Sequence, residues 1–201
     1  MRQEPTCLKG QSAGPGGAGI TPPMDQLELA AAKYQLGRQT GEALRDLGIA
    51  LISEGHDQAV RLAIVEDLTM AEVGPIFERV CREMGQAIPP LDQAIDIVIA
   101  AQLSEIAEGR VGPEMGLRKL MEDVVSPHVT GESQTGRYTF AGESRGLQHL
   151  VGAYWGYDEL RARPSEVSLA GRFGDEAIEM LDKEVVGFAR DWLRGSGSPR
   201  I

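Results

Sequence analysis

Residues 89–109, "PPLDQAIDIVIAAQLSEIAEG", contain the most apolar stretch of the chain and decide its fold class. Pro89 and Pro90 fit the start of a helix, and Gly109 fits its end. Apolar residues recur on more than one face of this helix, which we place at about 90–108. They are Leu91, Ala94, Ile95, Val98, Ile99, Ala101, Leu103 and Ile106. A helix that is apolar on several sides is typical of the centre of a bundle. The segment therefore predicts an all-α fold with this helix in the middle.

Amphipathic helical patterns flank this segment on both sides. Those before it cover residues 24–36, 41–54, 58–66 and 69–84, and those after it cover residues 112–125, 145–161 and 174–193. We expect Asp57 and Thr69 to cap the third and fourth helices, and Gly37 and Gly41 to loosen the chain between the first two. The pattern as a whole predicts a single-domain bundle of about six to eight helices.

The two ends of the chain differ in composition from this body. Residues 1–23 are rich in Gly, Pro and Ser and lack a hydrophobic period, so we predict a disordered leader there. Residues 24–194 form the predicted domain, and residues 195–201 a flexible tail. The leader contains a G-x-G-x-x-G pattern at residues 14–19, but no strand precedes it, so it does not indicate a dinucleotide site.

The segment from Ala107 to Leu120, "AEGRVGPEMGLRKL", follows the central apolar helix. It resembles a segment of small uncharacterised all-α bacterial proteins to which no function is assigned. The resemblance implies a helical fold and brings no catalytic residues with it.

The charge of the chain narrows the classes of partner. The 201 residues carry a formal net charge of −10, which repels nucleic-acid backbones and anionic membrane surfaces. A basic protein partner gains support from this charge, although a solvated acidic surface without a partner is the favoured interpretation. The two cysteines give no disulfide framework and no signal-peptide pattern is seen, so we expect a cytoplasmic protein. The apolar run at 95–101 is too short to span a membrane.

One long polar segment, residues 126–145, interrupts the helical pattern and is predicted to be a loop with a short β-prone piece at residues 138–140. At its end, residues 142–146 read "GESRG" and fit the G-x-S-x-G motif of α/β-hydrolases. Helices rather than strands precede this motif, and the only histidine after it is His149, five residues on. We therefore expect Ser144 to cap the next helix rather than to act as a nucleophile.

The remaining polar residues do not predict a metal or a cofactor. His56, His128 and His149 are the only histidines, and none has the spacing of a metal motif. Acidic pairs such as Asp92 and Asp96 recur at helical spacing. We interpret them as solvated helix faces, because nothing in the sequence directs them into a cleft.

Aromatic residues concentrate around the long loop and the helix that follows it. Five of the ten aromatic residues lie between residues 138 and 157, next to arginines and carboxylates. Side chains of these types are common at recognition surfaces, although they also pin loops to a helical body. The candidate binding residues are Arg137, Tyr138, Phe140, Arg145, His149, Tyr154, Trp155 and Asp158.

Three hypotheses for function follow. The first is a non-enzymatic protein-interaction protein, regulatory or immunity-like, whose acidic surface and loop-plus-aromatic region at residues 126–158 engage a partner. The second is an enzyme or small-molecule binder with a pocket under the 126–145 loop, using Glu132, Glu143, His128 or His149. The third is a structural homodimer joined through an apolar seam in residues 174–193. The seam consists of Ile178, Leu181, Val185, Phe188 and Trp192. Docking of this seam onto the core of its own domain is the favoured alternative.

Overall fold

The structure, a computed structural model, describes residues 23–129 and 142–195, with side chains described from residue 26 onward. Within these ranges the chain forms eight α-helices. They are α1 (Pro23–Gln35), α2 (Gly41–Ser53), α3 (Val60–Ala63), α4 (Met70–Glu83), α5 (Leu91–Ala107), α6 (Pro113–Leu120), α7 (Gln148–Ala162) and α8 (Gly174–Leu193). A π-helix, Met121–Val129, continues α6, and the described ranges contain no strand. The prediction of a single all-α bundle of six to eight helices is confirmed.

Helix α5 is the centre of the larger of two hydrophobic clusters, as its sequence predicts. Val98, Ile99, Leu103 and Ile106 are fully buried. Helices α1, α6 and α8 all contact α5. Each of these helices covers a different part of the apolar surface that the sequence spreads around α5, so burial of that surface holds the four helices together.

The second hydrophobic cluster lies between α1, α2, α3 and α4, with Leu44, Leu62 and Phe77 among its buried residues. Helix α1 belongs to both clusters. Its Leu27 packs in the second cluster, whereas its Ala32 packs in the first. The two clusters are therefore joined through opposite sides of one helix.

Gly41 does not loosen the chain, contrary to the expectation from sequence. It is the buried first residue of α2, and a Cβ at this position would lie 2.0 Å from the backbone oxygen of Leu68. Only glycine allows this approach of two backbones. The preceding residue, Thr40, caps α2, because its side-chain oxygen accepts a hydrogen bond from the backbone N–H of Ala43 at 3.2 Å.

Two helix starts differ from those predicted from the sequence. The helix expected at 58–66 is split into a 3-10 turn, Asp57–Ala59, and the short α3; His56 rather than Asp57 occupies the capping position. Thr69 precedes α4, but its side chain does not form the expected cap. Instead, the carboxylate of Asp67 accepts a hydrogen bond from the backbone N–H of Thr69 at 2.9 Å, an Asx turn that sets the entry of the chain into α4.

The predicted boundary between the sixth long helix and the 126–145 loop is wrong. The chain remains helical to Val129 as a π-helix, although Ser126, Pro127 and His128 resemble a loop. Val125 and Val129 are buried in the main cluster, and burial of their side chains favours a helical path past the proline. The β-prone piece predicted at residues 138–140 lies outside the described residues, as do the predicted leader up to residue 22 and the tail from residue 196.

The position of α5 leads to a test of stability. Ile99 is fully buried, so Ile99→Ala removes apolar contacts and leaves a cavity in the core. The variant should lower the free energy of unfolding by about 2–5 kcal/mol. Leu91→Ala on the same helix is the control, because Leu91 is 48% exposed; its effect should stay within about 1 kcal/mol. Urea denaturation of both variants measures the difference, and equal losses would contradict a central α5.

Candidate functional site

The structure places five of the eight candidate binding residues on one segment of the chain. Arg145 lies in the 3-10 turn Glu143–Arg145, and His149, Tyr154, Trp155 and Asp158 lie on α7. The other three candidates are outside the described residues. These are Arg137, Tyr138 and Phe140. The candidate site is therefore described as the surface of α7 and the contacts that fix it.

Arg145 attaches the entrance of α7 to the central helix. Its guanidinium donates to Asp92 Oδ1 at 2.8 Å and to Asp96 Oδ1 at 2.7 Å, and its side chain is only 16% exposed. Its backbone oxygen accepts a hydrogen bond from the indole N–H of Trp192 at 2.8 Å. Arg145 thus links the turn to both α5 and α8. Asp92 and Asp96, read from sequence as a solvated face, remain more than half exposed but share this arginine.

Ser144 does not cap α7, so that expectation is wrong. The capping position is Leu147, which has no side-chain oxygen, and the turn before it is made by Gly142 and Gly146 with φ of 79° and 67°. These left-handed conformations suit glycine. The Ser144 hydroxyl is buried and has no hydrogen-bond partner among the described residues. An α/β-hydrolase also carries its nucleophile on a strand-to-helix turn of a sheet, and the described ranges contain no strand.

The aromatic residues of α7 divide into a buried and an exposed group. Tyr157 is buried, and its hydroxyl donates to Asp182 Oδ1 on α8 at 2.5 Å. Burial raises the pKa of Tyr157, and the hydrogen bond to Asp182 raises it further, so the phenol stays a neutral donor. Trp155 is 58% exposed, and its ring meets that of Tyr154 edge to face, with centroids 5.3 Å apart and planes inclined by 70°. Tyr157 therefore fixes α7 on α8, whereas Trp155 faces outward.

A groove runs between α7 and α8 and is closed at one side by the connection between them. We call it the α7–α8 groove; its volume is about 340 Å³. Gly152, Gly156 and Glu159 line it from α7, and Glu184 and Phe188 line it from α8. The apolar part of its surface comes from Ala153, Leu160, Val167, Leu169 and Leu181. A volume of this size lies in the range of ligand-binding clefts, about 300–1,000 Å³.

The two glycines of α7 leave this groove open. A Cβ at Gly152 would meet nothing within 4 Å, and a Cβ at Gly156 would meet Leu181 Cδ2 at 3.4 Å. Glycine inside a helix costs about 0.5–1 kcal/mol relative to alanine, so helix stability does not account for either residue. What the glycines do is remove side chains from the wall of the groove and expose the backbone of α7.

The polar side chains of the groove have a defined arrangement. Glu159 and Glu184 stand on opposite helices, both exposed to solvent. Within residues 23–129 and 142–195, neither carboxylate takes part in an ion pair. The ring of His149 stacks on the ring of Phe188, with centroids 5.0 Å apart and planes inclined by 8°. The groove thus combines an apolar surface, an aromatic pair and two negative charges.

A strained turn supports the third wall of the groove. Leu169 and Arg172 form an isolated antiparallel bridge, and the two residues between them, Ala170 and Gly171, have φ of 49° and 79°. Positive φ at both central positions is the geometry of a type I′ turn. Alanine is unfavourable there, because its Cβ approaches a backbone oxygen in the left-handed region. The turn holds Val167 and Leu169 against the main cluster.

The sequence did not predict most of this groove. It selected His149 and the aromatic residues of α7, but not Glu184 or Phe188 as binding residues, nor the connection at residues 167–169. A signal was present in the pair Gly152 and Gly156, which share one face of α7 at a spacing of four residues. Two glycines inside an otherwise regular helix indicate a place where another group approaches the backbone.

The chain matches no protein-family model, and searches of the curated proteins and of the solved structures gave no match. Among the residues that the structure describes, no group of three or more His, Cys, Asp or Glu side chains is arranged to hold a metal ion. None of the described helices combines the length and the apolar character that crossing a membrane requires. The function is therefore inferred from the geometry and chemistry of α7 and its groove.

Arg145→Ala tests the attachment of the α7 entrance. The variant should lose about 1 kcal/mol of unfolding free energy, because two ion pairs disappear but water screens the exposed carboxylates. The loss should shrink as salt concentration rises. Arg110→Ala is the control, because it removes only an exposed ion pair with Glu108, two residues away in the chain. Its loss of unfolding free energy should be smaller. Denaturation at low and high salt compares the two, and a salt-independent loss in Arg145→Ala would contradict the assignment.

Ala170→Gly tests the strained turn. Glycine relieves the left-handed strain but adds freedom to the unfolded chain, so a net gain of about 0.5–1 kcal/mol in unfolding free energy is expected. Gly171→Ala, at φ 79°, should instead destabilise the protein by about 1–2 kcal/mol. Thermal denaturation of both variants measures the two changes in unfolding free energy. Changes of the same sign in the two variants would contradict this turn geometry.

Proposed function

We propose that the protein is a non-enzymatic interaction protein, regulatory or immunity-like, that binds a basic protein partner through the exposed surface of α7. The observation that carries this proposal is Trp155, a large aromatic side chain that is 58% exposed beside an acidic groove. A cytoplasmic location is part of the same proposal, in keeping with the free, buried Cys81.

The position of Trp155 on α7 supports the proposal. It follows Gly152 by three residues and precedes Glu159 by four, so the three residues share one stripe of the helix. Gly152 and Glu159 both line the α7–α8 groove. Trp155 therefore stands at the edge of that groove. Tryptophan is among the residue types that contribute most binding energy in protein interfaces, and its exposure before binding leaves that energy available to a partner.

Charge supports a basic rather than an acidic partner. The chain carries a net charge of −10, and the exposed residues Asp158 and Glu159 adjoin Trp155 on α7. A negative surface attracts a positive partner over several ångströms and raises the rate of association. The negative surface also repels acidic proteins, so charge contributes to selectivity for the partner as well as to the rate of association.

The α7–α8 groove supports one alternative, a small-molecule binder, because its volume of about 340 Å³ suits a ligand of modest size. Of the residues that the enzyme hypothesis named, His149 lines this groove, whereas Glu143 and His128 do not, and Glu132 lies outside the described ranges. A pocket under the 126–145 loop stays a prediction, because residues 130–141 lie outside the described ranges.

The homodimer through residues 174–193 also stays a prediction, with less support. Leu181 and Val185 of the apolar seam are buried in the main cluster, and Ile178, Phe188 and Trp192 pack against it. The seam is therefore used within the chain, and a dimer would have to form through the remaining exposed side of α8.

Trp155 provides both the variant and the reporter for a test. In a Trp192→Phe background, Trp155 is the remaining tryptophan, and its fluorescence should shift to shorter wavelength when a capped, lysine- and arginine-rich amphipathic peptide binds. Trp155→Ala should weaken binding of the same peptide about tenfold or more, measured by calorimetry. Higher salt should also weaken it.

Ile64→Ala is the matched control, because Ile64 is another large apolar residue, 69% exposed, at the end of α3. This variant should bind the peptide as the parent protein does. The same peptide with glutamate in place of its basic residues should not bind. Equal binding of both peptides, or an unchanged affinity in Trp155→Ala, would refute the proposed function.

A further inference from the structure

We infer that the α7–α8 groove is a subsite for an arginine side chain of the partner, next to Trp155. This inference rests on the proposed function and gives it a chemical specificity. Its basis is that four features of the groove match the three parts of an arginine residue, which are its aliphatic stem, its planar cationic head and its backbone.

The apolar part of the groove suits the aliphatic stem. Ala153, Leu160 and Leu181 belong to the main hydrophobic cluster, and each also lines the groove. Long basic side chains bury their methylene groups on apolar surface while the charged end stays near water. A short acidic or hydroxyl side chain would leave this surface in contact with solvent.

The two carboxylates suit the charged head. Glu159 on α7 and Glu184 on α8 both reach the groove, and neither is neutralised by an ion pair within the described ranges. Because both carboxylates line the same groove, a cation bound in the groove is attracted by both of them. The N–H donors of a guanidinium lie in its plane and point in several directions, so it can donate to carboxylates from two helices at once.

The aromatic pair favours arginine over lysine. The rings of His149 and Phe188 are nearly parallel, and both line the groove. A planar guanidinium stacks on aromatic faces, whereas an ammonium group has no plane to stack and holds its water more firmly. The geometry of the pair thus adds to the charge in selecting arginine.

The glycines of α7 suit the backbone of the partner. Because a Cβ at Gly152 would meet nothing within 4 Å, the backbone of α7 is open to an approaching chain at this position. We expect a partner segment to approach α7 here, with its arginine directed along the groove toward Glu184, which lines the groove from α8. Filling this space is also a way to block the subsite, since Gly152→Leu introduces a side chain without a clash at its first carbon.

Calorimetry with three matched peptides tests the inference. The probes are a capped amphipathic peptide with one central arginine, the same peptide with neutral citrulline at that position, and the same peptide with lysine. Citrulline should weaken binding to the parent protein about tenfold, and lysine by a smaller factor. In the double variant Glu159→Gln, Glu184→Gln, the arginine and citrulline peptides should bind with similar affinity, because the charges that distinguish them are gone.

The double variant Glu72→Gln, Glu83→Gln is the matched control, because it removes two exposed charges of α4 and should leave the discrimination intact. Gly152→Leu should weaken the arginine peptide and leave the unfolding transition in place. If the three peptides bind the parent equally while Trp155→Ala still weakens them, the arginine subsite is overturned and the proposed function stands. If no peptide binds the parent, both are overturned.

Discussion

The apolar surface of α5 is buried on several sides at once, and the remaining helices are placed by the need to cover it. Helices α1, α6 and α8 contact it directly. Helix α1 also packs into the second cluster with α2, α3 and α4, so the N-terminal helices are held through α1. Because burial of apolar surface supplies most of the favourable free energy of folding, loss of one buried α5 side chain weakens the main cluster, to which α1 also belongs.

The candidate site depends on how firmly α7 is held on this framework. Arg145 fixes the entrance of α7 to α5 and α8, and the hydrogen bond from Tyr157 to Asp182 fixes its middle to α8. Between these attachments the packing of α7 on α8 is incomplete, because Gly152 and Gly156 contribute no side chains. The groove is therefore a gap in an otherwise well-fixed helix pair. A fixed framework suits recognition, since little order has to be imposed when a partner binds.

The sequence predicted the fold class and most helix boundaries, because hydrophobic spacing in α4, α5 and α8 reports directly which faces are buried. It did not predict the π-helix, where Val125 and Val129 are buried although the residues between them resemble a loop. It selected Trp155 as a site residue from aromatic clustering alone. It did not predict the groove, because Glu159 and Glu184 line one groove only when α7 packs beside α8, and no local spacing encodes that packing.

The central claim is that a basic partner engages the exposed surface of α7, and backbone and indole NMR signals test it most directly. On titration of the protein with the arginine-containing peptide, the indole signal of Trp155 and the amide signals of Gly152 and Gly156 should shift together. The indole of Trp192, which donates to the backbone oxygen of Arg145, and the amides of α4 should stay in place. Shifts confined to α4, or spread evenly over all helices, would contradict the account.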